Sequence, residues 1–488
     1  MKILMAASEM APFAKTGGLG DVLGALPEAL AAAGHEVLTF IPRYQTVNLD
    51  GLRTSCPEWT LNVPNGDKTQ PLRVALVNHR KHKLTYGFVV HPRYFDRSEL
   101  YLDPVTGKDF DDNDMRFAFF SRGVLMAAHE LGFQPDIIHC HDWQTALIPV
   151  FMREDHGDSE FFKNSRTVLT IHNLAHQGTF DADRFASLGL DEKLFAPGEP
   201  LEFYDQVNFL KGGICYADKI TTVSPRYADE IKTGKFGCGL DGVLKERATD
   251  LTGVLNGVDY TVWSPSRDKM IPYRYHPANL GGKKKTRVEL MNRAGLPIRE
   301  KVPLIGMVTR LAHQKGLDLI EEAADRLMTR DLQMIVLGTG EERYHKLFTM
   351  LQEKYPDRMR CFLRLDESLA HFIEAGSDMF LMPSLFEPCG LNQIYSLKYG
   401  TVPIVHKVGG LADTIIDYDP DTGQGTGFVF DEESPEALLE AVDRAQALFV
   451  KKRKWGKLVK NGMRQDFSWD DAVQKYTALY LALNGSSA

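Results

Sequence analysis

Pro383-Ser-Leu-Phe-Glu-Pro-Cys-Gly-Leu391 is the stretch from which the fold can be read. Before it stands an apolar run, Asp378-Met-Phe-Leu-Met382, with the length of a buried strand. After it, Asn392–Tyr399 has helical periodicity and stops at Gly400. Pro388 suits the first turn of that helix, where its missing N–H has no partner anyway. The amides of Cys389, Gly390 and Leu391 would then face out of the helix start as a seat for an anion. Glu387 stands directly before that seat. An acid there suits a sugar phosphate, whose hydroxyls meet the carboxylate and whose phosphate meets the amides. The plain alternative is a carboxylate that caps its helix.

The same alternation of short apolar run and helical pattern extends to both ends of the chain, which predicts an α/β protein with mainly parallel sheets. In the first half the predicted strands are 2–7, 36–42, 73–77, 87–90, 137–140, 167–171 and 219–223. In the second they are 303–308, 332–338, 379–382 and 402–405. No repeat is present, so a solenoid is excluded. A turn-rich Leu255-Asn-Gly-Val-Asp-Tyr260 and the polar stretch after it mark a boundary. The reading is a domain over 1–253, a second over 254–465, and a terminal segment 466–488. Phe467, Trp469, Val473, Tyr476, Leu479 and Tyr480 recur there at helical spacing, so this segment must lie on an apolar surface.

A chain of 488 residues suggests two domains, and 43% hydrophobic with 25% charged residues is a soluble composition. The formal charge of −8 argues against nucleic acid or an anionic membrane as the main partner. Six cysteines without a CxxC pair indicate neither a disulfide framework nor a zinc ribbon. The start, Met1-Lys-Ile-Leu-Met-Ala-Ala-Ser-Glu9, is too short in its apolar run for a signal peptide. A cytoplasmic enzyme is expected.

Several loops carry groups suited to one ligand. Lys15-Thr-Gly-Gly-Leu-Gly-Asp21 follows the first strand and offers a lysine and close backbone approach. Its GGxG is neither the GxGxxG of a dinucleotide fold nor a P-loop, which discourages a nicotinamide dehydrogenase. His139-Cys-His-Asp-Trp143 ends another strand. Its two histidines share a side, but a metal would lack a third nitrogen or sulfur ligand, and Asp142 reads better as a binder of sugar hydroxyls. His172-Asn173 lies at a third strand's carboxyl end, where open α/β sheets bind ligands. Thr309-Arg-Leu-Ala-His-Gln-Lys-Gly316 brings Arg310 and Lys315, a fork and a point charge that suit a diphosphate. Val408-Gly-Gly-Leu-Ala-Asp413 repeats the glycine device.

Taken in order, Lys15-Thr-Gly-Gly-Leu, His141-Asp-Trp-Gln, Thr170-Ile-His-Asn173, Leu255-Asn-Gly-Val-Asp259, the Thr309–Gly316 loop and Glu387-Pro-Cys-Gly-Leu391 resemble bacterial glycogen synthase and plant starch synthase over essentially the whole chain. The resemblance implies a GT-B fold: two Rossmann-like domains facing across a deep cleft, with the terminal helix crossing back to the first. It implies transfer of glucose from ADP-glucose to the non-reducing-end 4-hydroxyl of an α-1,4-glucan, with retention and without a metal or other cofactor. Lys15, the Gly17 and Gly18 amides and Asp21 are then assigned to the diphosphate, together with Arg310 and Lys315. Asp142, His172 and Asn256 are assigned to the glucosyl group, and Glu387 with Cys389, Gly390 and Leu391 to sugar or phosphate. One position departs. Family members carry an aromatic residue for the adenine where this chain has Leu365. A UDP-glucose enzyme, another acceptor, and a catalytically silent glucan-binding protein are the alternatives.

Overall fold

The computed structural model describes residues 1–66 and 68–485, which divide into two compact α/β units. The first comprises Met1–Val223, Ala228–Gly257 and the terminal segment from Trp469; the second comprises Ser224–Tyr227 and Val258–Ser468.

In the first unit the strand Lys2–Ala6 pairs in parallel with Glu36–Pro42 on one side and Ile137–His141 on the other. Beyond Ile137–His141 the sheet continues in parallel through Arg166–Ile171, Lys219–Thr222 and Leu251–Gly253. Beyond Glu36–Pro42 come Leu84–Val90, parallel, and then the antiparallel Lys68–Asn78. Chain order reverses between Lys2–Ala6 and Ile137–His141, the kind of switch point at which open α/β sheets bind ligands. The helix Gly18–Ala32 is the crossover between Lys2–Ala6 and Glu36–Pro42, and its apolar stripe includes Val22, Leu23, Leu26 and Leu30.

The terminal helix Trp469–Leu483 belongs to this unit, and its buried face is Trp469, Ala472, Val473, Tyr476 and Tyr480. Tyr480 Oη lies 2.7 Å from His139 Nδ1, and Thr477 Oγ1 lies 3.1 Å from His35 Nε2. Phe467, expected on the same stripe, precedes the helix instead. It packs with Val258, Ile394 and Tyr395 of the second unit, and its carbonyl accepts the Val258 amide at 2.7 Å.

The second unit has a six-stranded parallel sheet, ordered Met359–Phe362, Gln333–Leu337, Leu304–Val308, Met379–Met382, Val402–His406, Phe428–Phe430. Alternate residues feed the cores on its two faces. Ile305, Met307, Met334, Val336, Met379 and Leu381 enter one; Leu304, Ile335, Leu337 and Phe380 enter the other. The switch point falls between Leu304–Val308 and Met379–Met382, the two strands that carry the Thr309–Gly316 and Pro383–Leu391 loops.

The polar stretch after Tyr260, read as a boundary, is built into this unit. Trp263 stacks between His371 and Tyr395 at ring separations of 3.6 and 3.8 Å. The buried Asp268 carboxylate accepts the Tyr399 hydroxyl at 2.5 Å and meets His371 Nδ1 at 2.8 Å. Among the described residues no helix is long and apolar enough to cross a membrane.

Candidate active site

At the switch point of the second sheet, Lys315 Nζ donates to Glu387 Oε2 at 2.7 Å, and Ser384 Oγ donates to the same oxygen at 2.9 Å. Both charged side chains are mostly buried, at 18% and 8% exposure, so solvent screens the pair less than a surface one, and removing one partner strands the other. The loops meet because Gly316 has φ +67° and no side chain: a Cβ there would fall 1.8 Å from the Pro383 carbonyl oxygen. The Leu385 amide donates to Gln314 O at 2.9 Å, and the Gln314 side-chain amide donates to Phe386 O at 3.2 Å. On the opposite side Gly409 and Gly410 lie flush against the backbone of Glu387 and Cys389, and the Gly410 amide donates to Glu387 O at 3.0 Å. Arg310 remains exposed, with its guanidinium 3.0 Å from Gln314 Oε1.

The helix after this loop spans Asn392–Tyr399, as its periodicity predicted, but Pro388 is not in its first turn. Pro388 lies in irregular backbone and Gly390 at φ +66° interrupts the helical run, so Leu391 becomes the N-cap. The Gln393 side chain donates back to the carbonyls of Cys389 and Gly390, both at 3.0 Å, which fixes the loop from within.

In the first unit Asp142 ends its strand at φ 58°, a conformation a residue with a side chain adopts only when its surroundings hold it. Its amide donates to Thr170 O at 2.9 Å, and its Oδ1 accepts the His172 amide at 2.7 Å. Burial pushes the Asp142 carboxyl up to about 7, against the lowering effect of the amides of His172 and Asn173. Burial pulls His172 down to about 3 and His141 well below its ordinary value, so both rings are neutral at pH 7. His141 Nδ1 and His172 Nε2 are 3.0 Å apart, one donating to the other.

His139 faces away from this pair in function. Its Nε2 contacts Thr170 Oγ1 at 2.6 Å and its Nδ1 contacts Tyr480 Oη at 2.7 Å. With both nitrogens occupied it has no lone pair for a metal, and its role is to tie the terminal helix to the strand.

Lys15 Nζ pairs with Asp21 Oδ1 at 2.6 Å in an exposed setting. The Gly17 amide, assigned above to a ligand, donates to Glu9 Oε2 at 3.1 Å, and Gly18 opens the helix behind it. Asn256 is buried at 5% exposure, with no hydrogen-bond partner for its Oδ1 among the described residues.

The first half of the chain, residues 2–246, matches the model of the starch synthase catalytic domain, and residues 290–461 match glycosyl transferases group 1. The chain is 47% identical to a glycogen synthase of Koribacter versatilis over 98% of both chains. It is also 47% identical to a glycogen synthase of Anaeromyxobacter dehalogenans over 99% of this chain and all of the other. The chain belongs to the glycogen and starch synthase family. Its fold is the two-domain GT-B type, and its activity is that of a glycosyltransferase that builds α-glucan.

Within the glycogen and starch synthases, a solved structure of the catalytic domain of starch synthase IV from Arabidopsis thaliana, bound to ADP and acarbose, covers 99% of both chains at 33% identity and a TM-score of 0.90. A sucrose-phosphate synthase from Thermosynechococcus elongatus shares the fold at 17% identity and a TM-score of 0.61.

Sequence reading missed Glu9, which no local motif marks. Its carboxylate takes the Thr16 amide at 2.7 Å, the Thr16 hydroxyl at 2.6 Å, the Gly17 amide and the Tyr101 hydroxyl at 2.7 Å. Only its position at the end of the first strand, facing a Gly-rich turn, could have drawn attention to it.

Proposed function

We propose that the donor is ADP-glucose and that transfer to the non-reducing-end 4-hydroxyl of an α-1,4-glucan retains the anomeric configuration. The observation that carries this reading is the Lys315–Glu387 pair at the switch point of the second sheet. It pairs a cation suited to a departing diphosphate with a carboxylate suited to sugar hydroxyls. The relative from Arabidopsis thaliana, bound to ADP, supports the choice of nucleotide.

Cleavage of the glucose–phosphate bond leaves positive charge on the sugar ring and negative charge on the diphosphate. Lys315, Arg310 and Lys15 are assigned to the diphosphate, with Asp21 setting that end by holding Lys15; the Gly17–Gly18 backbone is assigned there too, the Gly17 amide on leaving Glu9. Losing one such cation or amide donor costs roughly 3–4 kcal/mol of transition-state stabilisation. The Cys389–Leu391 backbone is assigned to sugar or phosphate beside Glu387. His172, neutral at pH 7, is assigned to the anomeric carbon, where an imidazolium would repel the developing ring charge. Asp142 and Asn256 are assigned to glucosyl hydroxyls, and the unpartnered Asn256 Oδ1 is an acceptor suited to one.

Glu387 accepts from both Lys315 and Ser384, which suits it to binding rather than to proton abstraction. A front-face displacement, in which the leaving phosphate itself takes the acceptor proton, needs no protein base. Turnover with ADP-glucose and UDP-glucose, with the product anomer followed by NMR, tests the reading. Preference for UDP-glucose, which the aliphatic Leu365 would favour, overturns the choice of nucleotide. A trapped glucosyl-enzyme overturns the mechanism.

A further inference from the structure

We propose that Glu28, His79 and His82 form a binding site for a divalent transition-metal ion, zinc foremost, that fastens the helix Gly18–Ala32 to a neighbouring hairpin. Each of the three residues offers one ligand atom, and these atoms lie within 4.8 Å of one another. His79 and His82 stand on the turn between the strands Lys68–Asn78 and Leu84–Val90, and Glu28 comes from the helix.

The turn is built to present both rings. The His79 amide donates to Leu84 O and the Leu84 amide to His82 O, each at 2.8 Å, which closes the hairpin. The two imidazoles stack in parallel, 5.2 Å apart and 7° from coplanar, and His79 Nε2 lies 3.6 Å from Glu28 Oε1. A surface ion pair accounts for one histidine beside one acid. The second ring, stacked on the first, brings a third donor within reach of the same point. A metal ion binds both rings in their neutral form and takes the carboxylate as well.

Two imidazoles and a carboxylate are the donor set of zinc and of its neighbours in the first transition row, whereas calcium and magnesium prefer oxygen alone. Zinc–ligand bonds of about 2.0–2.2 Å bring donors closer together than they stand here, so binding draws the three side chains in by roughly an ångström. Binding at His79 Nε2 moves that ring's proton to Nδ1. The amides of Lys81 and His82, at 3.4 and 3.2 Å from Nδ1, then turn to water. Exposed Arg80, Lys81 and Lys83 weaken the site without closing it, and the exposed Glu28 leaves a coordination position to water. Glu28 shares its helix with Gly18 and Asp21, but none of the three ligand residues is among those assigned to the donor.

The test uses the full chain without an affinity tag, stripped with chelator and dialysed, and titrated with zinc chloride by calorimetry. Cobalt(II) absorption serves as the second readout. One zinc per chain and a higher melting temperature with zinc are expected. Loss of a direct ligand in His82→Ala weakens binding by at least about tenfold, the range seen even for indirect ligand partners. Should the metal-free His82→Ala protein melt lower than the parent, Glu28→Gln at an exposed position decides instead. Absence of zinc binding, or an isotherm unchanged in His79→Gln and Glu28→Gln, overturns the proposal.

Discussion

Lys315 and Glu387 stand 72 residues apart in the chain and meet at 2.7 Å, each at the carboxyl end of one of the two strands that flank the switch point. Neither loop alone makes the pair. The crossover order of the parallel sheet does, by setting those strands side by side.

Lys315→Ala removes the cation and leaves Glu387 with Ser384 as its remaining side-chain donor. A drop in kcat of roughly a hundredfold or more is expected, the cost of losing one preorganised electrostatic group. Steady-state kinetics with ADP-glucose check it. Near-normal turnover would remove Lys315 from the reaction. An exposed ion pair of ordinary strength, under about 1 kcal/mol, predicts only a small change, so the two readings are well separated.

Gly316→Ala tests whether loop contact, rather than charge alone, makes the pair. Alanine at φ +67° carries a backbone penalty of roughly 1–2 kcal/mol, and its Cβ would overlap the Pro383 carbonyl. The two loops must part, and Lys315 with them. The expected result is a lower urea midpoint together with a kcat loss approaching that of Lys315→Ala. A destabilised protein with unchanged kcat would show that the pair tolerates the shift.

The strands flanking the second sheet's switch point were legible in sequence because burial on both faces makes them continuous apolar runs, as in Met379–Met382 and Leu304–Val308. The outermost ones were not. Met359–Phe362 carries Arg360 at its centre and Phe428–Phe430 has three residues, so neither shows a period. Lys315 and Glu387 could be named from their motifs, yet their contact could not, since it depends on sheet order. Glu9 was invisible for a related reason: its partners Thr16, Gly17 and Tyr101 come from two other segments. The same holds for Trp263 and Asp268, whose stretch looked like a linker because the rings and hydroxyl that hold these two side chains, from His371, Tyr395 and Tyr399, lie more than a hundred positions away.

Asp142 gives the first unit a pH signature. Its folded carboxyl titrates near 7, above its ordinary value of 3.8, so between those values the folded state holds a proton that the unfolded state has lost. The stability this contributes is present at low pH and is lost as pH rises through about 7. Asp142→Asn keeps an oxygen acceptor for the His172 amide but has no charge to bury. It should therefore gain stability over the parent at pH 8 and lose that advantage toward pH 4, read as the difference in melting temperature across the range. A constant difference would show that the Asp142 carboxyl does not titrate in this window.

Leu365 is 86% exposed, between two residues that are tied down. Asp366 caps the helix Glu367–Gly376 by accepting the Leu369 amide at 2.9 Å, and Arg364 bonds to Asp366 at 3.0 Å while lying over the Phe362 ring. The backbone is thus anchored and the Leu365 side chain has open space around it, enough for a larger ring without repacking. Leu365→Tyr should supply the stacking surface that an aliphatic side chain lacks, an effect of about 1–3 kcal/mol per base. At 1.4 kcal/mol per factor of ten, the inhibition constant of ADP and the KM for ADP-glucose should fall by roughly tenfold, with kcat and melting temperature little changed. Competition by ADP and by UDP against the same donor checks it. A variant no better at holding ADP than the parent would mean that the base does not rest on this residue, and the nucleotide assignment would then need a different contact.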